Sequence, residues 1–338
     1  MARRLAAVDL DALRAVREAE WARLDALAGA TRLDGRESDE LILRYQDAAG
    51  DLSAITTTAG SQAVGDRLSI SLSRARMRFT GSGRSLFSQL PAFFALQLPA
   101  ALYRIRWWTL WVALASVVVA VIYGTWSAND PAVRATLGDD EQLRRLVDRD
   151  FVNYYSENPA ASFTSQVWTN NAFIAAQCIA FGITGFYAPF ILLQNAQNVG
   201  LTGGVLIGYG RADTFFLYIA PHGMLELTSV FVAGAAGLRI FWAWIAPGAR
   251  TRGQALAEDG RSLFTVAVGL TISLFVSGIL EGFLTPSPLP WPVKIAIGAL
   301  ALGAFLFYMV VIGGRAHRLG ETGDLDPFAA GSKRIIAD

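Results

Sequence analysis

The chain has 338 residues, of which 53% are hydrophobic, with 29 basic and 28 acidic side chains. This apolar and nearly neutral composition excludes a nucleic-acid binder, and the single cysteine, Cys178, excludes a secreted domain held by disulfides. The first uncharged stretch of membrane-spanning length begins only near Trp107. We therefore expect no secretory signal, and we predict a polytopic helical membrane protein with a soluble amino-terminal region.

Residues 1–83 are predicted to form a cytoplasmic helical bundle. Within them, three stretches repeat apolar residues at helical spacing, and short links containing glycine join the stretches. Three amphipathic helices on such short links must bury their apolar stripes against one another. This pattern predicts a small antiparallel bundle.

Residues 67–106 form a basic collar, with seven arginines and no acidic residue. The last part, 84–106, has one apolar face interrupted by Pro91 and Pro99, and we interpret it as an interfacial amphipathic elbow helix on the inner leaflet. A cytosolic helix packed on the bundle is the alternative. The arginines predicted to face lipid are Arg74, Arg76, Arg78, Arg84, Arg104 and Arg106.

Six membrane segments are predicted in a transmembrane domain covering 107–313. The third segment is short and rich in glycine, and the sequence leaves open whether it crosses the whole membrane. The outer loop, 127–166, has seven acidic residues against four arginines, and it includes a predicted amphipathic helix from Asp139 to Tyr155. By the positive-inside rule, both termini, including the tail 314–338, are cytoplasmic and the protein lies in the inner (plasma) membrane. The segments are expected at about 107–126, 167–194, 196–210, 214–237, 262–284 and 293–313.

Several short motifs follow one another in a specific order. They are Pro221-His222-Gly223 with Glu226-Leu227, VWTNNAFIA at 167–175, FGITG at 181–185, LLQNAQNVG at 192–200, and Glu281-Gly282 with Thr285-Pro286. In this set the chain resembles the stage II sporulation protein M family of integral membrane proteins. The segments at 9–27 and 39–53 resemble the amino-terminal extension of many members outside spore formers. The resemblance implies a partner role, because in endospore formers the family works in a membrane complex with cell-wall hydrolases during engulfment of the forespore.

Polar residues inside the predicted spans form a candidate intramembrane site. His222 and Glu226 are four residues apart and share one helix face, and an ionisable residue at mid-membrane requires a partner or a function. The preceding Pro221 frees a backbone carbonyl one turn back, and Gly223 allows a neighbouring helix to approach. Glu281 is expected at the outer interface as a helix-end anchor. The full set is His222, Glu226, Pro221, Gly223, Asn170, Asn171, Asn195, Asn198 and Glu281.

The roles of this polar set stay open between structural hydrogen bonding and function. His317 lies beyond the last span, so the histidine pair of a membrane metalloprotease is missing, and we predict no metal, no cofactor and no catalytic residue. The leading hypothesis is a non-enzymatic membrane component of an envelope-associated complex. It would contact membrane lipid and protein partners in the envelope, and it is compatible with a homo-oligomer. The alternative is a transporter or channel subunit with its polar centre at His222 and Glu226.

Overall fold

The structure is a computed structural model that describes residues 10–30, 32–59, 63–79, 90–155, 157 and 159–324. Within these residues every regular element is a helix, which confirms the all-helical class. The chain divides into two compact units, Met1–Leu90 and Pro91–Asp338. We call them the amino-terminal unit and the carboxy-terminal unit.

The amino-terminal unit contains three helices that share one hydrophobic core. They are α1 (Leu10–Gly29), α2 (Gly35–Ala59) and α3 (Ala63–Phe79). Leu24, Leu41 and Ile55 are at most 1% exposed in this core. A reciprocal cap starts α2: the Asp34 carboxylate accepts from the Glu37 amide at 2.7 Å, and the Glu37 carboxylate accepts from the Asp34 amide at 3.1 Å. Each helix contacts the other two, as the apolar stripes require.

In the described residues of the carboxy-terminal unit we number ten further α-helices of six residues or more. They are α4 (Leu98–Arg104), α5 (Arg106–Asn129), α6 (Pro131–Leu137), α7 (Asp140–Arg145), α8 (Ala160–Ala180), α9 (Tyr187–Gly208), α10 (Ala212–Ile245), α11 (Arg252–Ile279), α12 (Trp291–Phe307) and α13 (Gly313–Arg318). In the described part of the chain, four stretches are long and apolar enough to cross a membrane: Arg106–Asn129, Ala212–Ile245, Arg252–Leu284 and Trp291–Arg318.

Helix α10 is the centre of this unit, since it packs against α5, α8, α9, α11 and α12. Small side chains permit this crowding, and Ala233, Ala235 and Ala236 are all 0% exposed. Small residues allow close backbone approach between helices in an apolar environment, where packing rather than hydrophobic burial stabilises the contact. A central helix with a small-residue surface therefore positions the residues of five neighbours.

Glycines at helical spacing join α9 to α5. A Cβ atom on Gly200 would collide with the backbone of Ala120, and one on Gly204 would collide with Ser127 and the backbone of Gly124. Gly208 lies less tightly against the backbone of Ala128 and the side chain of Arg134. These glycines therefore let the backbones of α9 and α5 approach closely.

The boundary expected between the second and third segments is wrong. The sequence predicted a continuous segment over 167–194, whereas α8 ends at Ala180 and α9 begins at Tyr187. The turn between them places Gly185 at a φ of 77°, and Gly182 lies against the backbone of Gly237 on α10. Gly185 adopts the positive φ of the turn, and Gly182 allows the close contact with α10. These two glycines therefore permit a break inside an otherwise apolar run.

The predicted surface position of the elbow does not hold for α4. Leu98, Ala101 and Leu102 are at most 4% exposed and belong to the main core of the carboxy-terminal unit. The carbonyl of Pro99 faces Gly313, where any side chain would collide. Residues 84–89, the first part of the expected elbow, lie outside the described residues.

The segment after α6 agrees with the predicted amphipathic helix. Asp139 forms a capping box with Gln142, and α7 continues through a π-helical turn, Leu146–Asp150, into the short helix Phe151–Asn153. Leu143, Val147 and Phe151 follow one another at four-residue spacing, and all are at most 8% exposed. This stripe packs under Tyr155, which becomes part of the site described next.

Candidate functional site: a buried polar cluster

Helix α10 presents His222 and Glu226 one turn apart. His222 is only 4% exposed, and Glu226 is half-buried. Pro221 lies inside the helix without ending it. A Cβ atom on Gly298 of α12 would collide with the Pro221 carbonyl, so this glycine lets α12 approach where the proline interrupts the backbone hydrogen bonding. Gly223, which the sequence assigned to this role, faces only Ile219 of its own helix.

Glu281 is buried in the cluster, just after the end of α11, and its predicted position at the outer interface stays a prediction. The residue is 5% exposed, and its Oε1 lies 3.9 Å from His222 Nε2. It stands in a π-helical turn, Leu280–Leu284, that follows α11. Next to it, Gly282 packs on Thr164 of α8 with no room for a Cβ atom, and this contact helps to bury Glu281.

Thr285 orients the ring of His222. His222 Nδ1 and Thr285 Oγ1 are 3.3 Å apart, and the Thr285 hydroxyl lies 3.2 Å from the Leu280 carbonyl, to which it donates. Because that bond uses the hydroxyl proton, Thr285 Oγ1 accepts from the Nδ1–H group. A neutral imidazole protonated at Nδ1 has its lone pair at Nε2, on the side of Glu281.

Glu226 receives hydrogen bonds from neighbouring helices. The hydroxyl of Ser277 on α11 lies 3.4 Å from Glu226 Oε2 and 3.2 Å from the carbonyl of His222, and Asn171 on α8 also donates to this carboxylate. The Nδ2 group of Asn170, which is exposed, lies 3.5 Å from Asn171 Oδ1. Two of the four predicted asparagines are thus at or beside the cluster.

Asn195 and Asn198 are both on α9, half-buried and exposed respectively. Within the residues that the structure describes, no hydrogen bond links either of them to His222, Glu226 or Glu281. The sequence grouped all four asparagines because all lie in or next to the predicted spans. The packing of α8 against α10 and α11 brings only the α8 pair, Asn170 and Asn171, to the cluster.

Tyr155 covers the cluster from the segment after α7. Its ring centroid is 5.8 Å from that of His222, and the residue is 6% exposed. Lys294 on α12, 3% exposed, donates to the Thr285 carbonyl at 2.6 Å. The sequence analysis missed Tyr155, Ser277 and Lys294 as site residues. Thr285 appeared in the motif set, but nothing in the spacing connected it with His222.

The collar arginines of the carboxy-terminal unit bind protein groups. Arg104 lies 2.9 Å from the Asp259 carboxylate and donates to the Thr322 carbonyl at 2.7 Å. Arg106 lies over the ring of Tyr103 at 3.6 Å from its centroid. Asp259 is 2% exposed, so Arg104 is held in the protein and does not face lipid as predicted.

The collar arginines of the amino-terminal unit also have protein partners. Arg74 pairs with Asp25 at 3.2 Å, and Arg78 donates to the Ala28 carbonyl at 3.0 Å. Arg76 also has a polar or ring contact with another residue of the protein. Arg84 lies outside the described residues. The arginine-rich stretch therefore includes several residues that stabilise the fold.

Comparison with known proteins gives two family matches and one relative. The family described as stage II sporulation protein M matches residues 113–286, which include His222, Glu226 and Glu281. A domain of unknown function matches residues 11–81, the helices of the amino-terminal unit. An uncharacterized protein of Methanocaldococcus jannaschii is 26% identical over 147 residues, which cover 43% of this chain and 82% of the relative. No solved structure matches.

Proposed function

The chain belongs to the stage II sporulation protein M family, and we propose that it is a non-enzymatic integral membrane component of an envelope-associated complex, with the amino-terminal unit docking a protein partner. The observation that carries this proposal is the division of the chain. One unit folds around its own three-helix core, and the other contains the candidate spanning helices. A unit that folds on its own core gives a membrane protein a separate surface for partners.

We also propose six crossings, with both termini on the cytoplasmic side. The turn 181–186 lies beside Gly237 and Phe241 of α10, whereas the end of α9 lies beside Ala128 and Arg134, which is consistent with α8 and α9 running between opposite ends of the unit. Arg104, Arg239, Arg250 and Arg261 collect near the first of these ends, where they pair with Asp259 and Asp324. By the positive-inside rule this end faces the cytoplasm.

Single cysteines test this topology. We place them at Ala128 and Ala249 in a Cys178→Ala background and treat intact cells with a membrane-impermeant thiol reagent. We expect labelling at 128 only, and labelling of both positions after the membrane is opened serves as the control. Labelling at 249 but not at 128 in intact cells would overturn the orientation.

Exposed apolar side chains support partner docking by the amino-terminal unit. Val16, Leu43 and Ile70 are 75%, 62% and 54% exposed, one on each of the three helices. Large exposed apolar side chains on a soluble unit are candidates for burial against a partner. Leu43→Gln should shift the detergent-solubilised protein from a large complex to a smaller species in native electrophoresis, whereas Asp39→Asn, an exposed change on the same helix, should not. A wild-type protein that migrates at its own mass would contradict the docking role.

A transporter or channel subunit is the second candidate, and one observation favours it. Glu281 lies beside His222 inside the protein, so three ionisable groups converge in one cluster. Such groups inside a membrane protein mark ion or proton pathways. Glu226→Gln retains the volume and the hydrogen-bonding capacity of the side chain but removes its ionisation. If the cluster handles ions, the variant should insert and fold normally yet fail to complement a deletion strain, and full complementation would exclude this function.

A further inference from the structure

We propose that His222, Glu226 and Glu281 form a binding site for a divalent transition-metal ion of the zinc class, between α10 and the π-helical turn Leu280–Leu284. The nearest ligand atoms of the three side chains all lie within 4.8 Å of one another. This inference goes beyond the docking role and does not depend on it. The sequence alone indicated no such site, because the third ligand comes from a residue 55 positions after Glu226, by their numbers in the chain.

Charge balance favours a bound cation. Two carboxylates share this buried place, and within the described residues neither forms an ion pair with a lysine or an arginine; the one basic partner is His222, 3.9 Å from Glu281. Lys294, the nearby cationic residue, instead donates to the Thr285 carbonyl and lies 4.0 Å from the centroid of the Trp291 ring. Buried charges in proteins are paired or bind metals, because an isolated charge in an apolar medium is strongly destabilising. A divalent cation would neutralise both carboxylates.

The orientation of His222 suits a metal ligand. Its Nδ1–H group donates to Thr285 Oγ1, so the Nε2 lone pair faces Glu281. A histidine that binds a metal through one ring nitrogen almost always donates its other N–H group to a fixed acceptor, which sets the tautomer and the ring angle. Thr285, 1% exposed, is such an acceptor.

The distances suit an ion better than a direct hydrogen bond. The 3.9 Å between His222 Nε2 and Glu281 Oε1 exceeds hydrogen-bonding distance. An ion about 2.0–2.2 Å from each of two atoms spans separations up to about 4 Å, and a tetrahedral angle brings the atoms to about 3.4 Å. The remaining separations, up to 4.8 Å, require the flexible glutamate side chains to close by roughly 1 Å.

The donor set selects the class of ion. One imidazole nitrogen and two carboxylate oxygens, without sulfur, favour Zn²⁺ or another first-row divalent ion over Mg²⁺ or Ca²⁺, which prefer oxygen ligands alone. Three protein ligands leave a fourth position open in a tetrahedral site. The Tyr155 ring beside His222 limits the access of water to this place.

The test uses the full chain, purified in detergent with a tag that contains no histidine. The protein is treated with a chelator, and ZnCl₂ is then added and bound zinc is measured by mass spectrometry and by titration calorimetry. We expect about one zinc per chain. His222→Gln and Glu281→Gln should each weaken binding at least about 100-fold, since loss of outer partners alone costs about 10- to 100-fold.

His317→Gln is the matched control, because the chain has two histidines and His317 is exposed outside the cluster. It should leave zinc binding unchanged. Thr285→Val keeps all three ligands and removes the acceptor of Nδ1, so that it should weaken binding about 10- to 100-fold even if the ligand variants do not fold. Absence of stoichiometric zinc in the wild type, or equal binding by the folded His222 and His317 variants, would overturn the proposal.

Discussion

Asp259→Asn should destabilise the carboxy-terminal unit at the end where α10 and α11 meet. The Asp259 side chain is 2% exposed, and its oxygens lie 2.9 Å from Arg104, 3.2 Å from Arg239 and 3.5 Å from Arg250. Asparagine has nearly the same shape, but it removes the negative charge and leaves three arginines facing one another. The perturbation therefore isolates the electrostatic contribution of one buried carboxylate.

The expected loss of stability depends on how deeply Asp259 and its three arginine partners are buried. Removing one partner of a fully buried ion pair costs about 3–5 kcal/mol. Here the arginine side chains remain 23%, 27% and 32% exposed and can regain water, which lowers the cost. We expect a loss of about 2–3 kcal/mol in the free energy of unfolding, near the strength of hydrogen bonds to charged groups.

The assay is reversible unfolding in mixed detergent micelles, with Glu258→Gln as the control. Glu258 also pairs with Arg250, at 2.7 Å, but its side chain is 44% exposed. An exposed pair of this kind contributes about 0–1 kcal/mol. Equal losses for the two variants would refute the argument that burial of Asp259, and not the number of ion pairs, determines the effect.

Two further predictions concern the amino-terminal unit and the glycine contact. Hydrogen bonds from Arg23 and Arg44 lower the pKa of Glu40 to about 2. The Glu40 carboxylate therefore stabilises the fold above its ordinary pKa of 4.5, and this contribution is lost as pH falls from 4.5 toward 2. Hydrogen exchange of α1 and α2 should show this pH dependence in the wild type and less of it in Glu40→Gln. Gly204→Ala places a Cβ atom against the backbone of α5 and should cost about 1–3 kcal/mol of stability. Gly303→Ala, with open space around its Cβ position, should be neutral or slightly stabilising in the same unfolding assay, and a similar loss in both glycine variants would argue against close packing.

The sequence by itself determined the local features of this protein. Apolar periodicity located the helices of the amino-terminal unit, and the uncharged run after Trp107 located α5, because side-chain direction repeats with the helical turn. The four-residue spacing of His222 and Glu226 placed them on one face without knowledge of the neighbouring helices. The ordered motifs identified the family, which the match over residues 113–286 confirms.

Only the tertiary structure decided which distant residues meet. Glu281 reaches His222 because a π-helical turn and the contact of Gly282 with α8 bury what the sequence presents as a helix end. Arg104 lies 155 positions before its partner Asp259, so no local pattern could separate an ion pair from a lipid contact. Helical periodicity fixes the face on which a side chain lies, whereas the helix packed against that face depends on close contacts between small residues far apart in the chain.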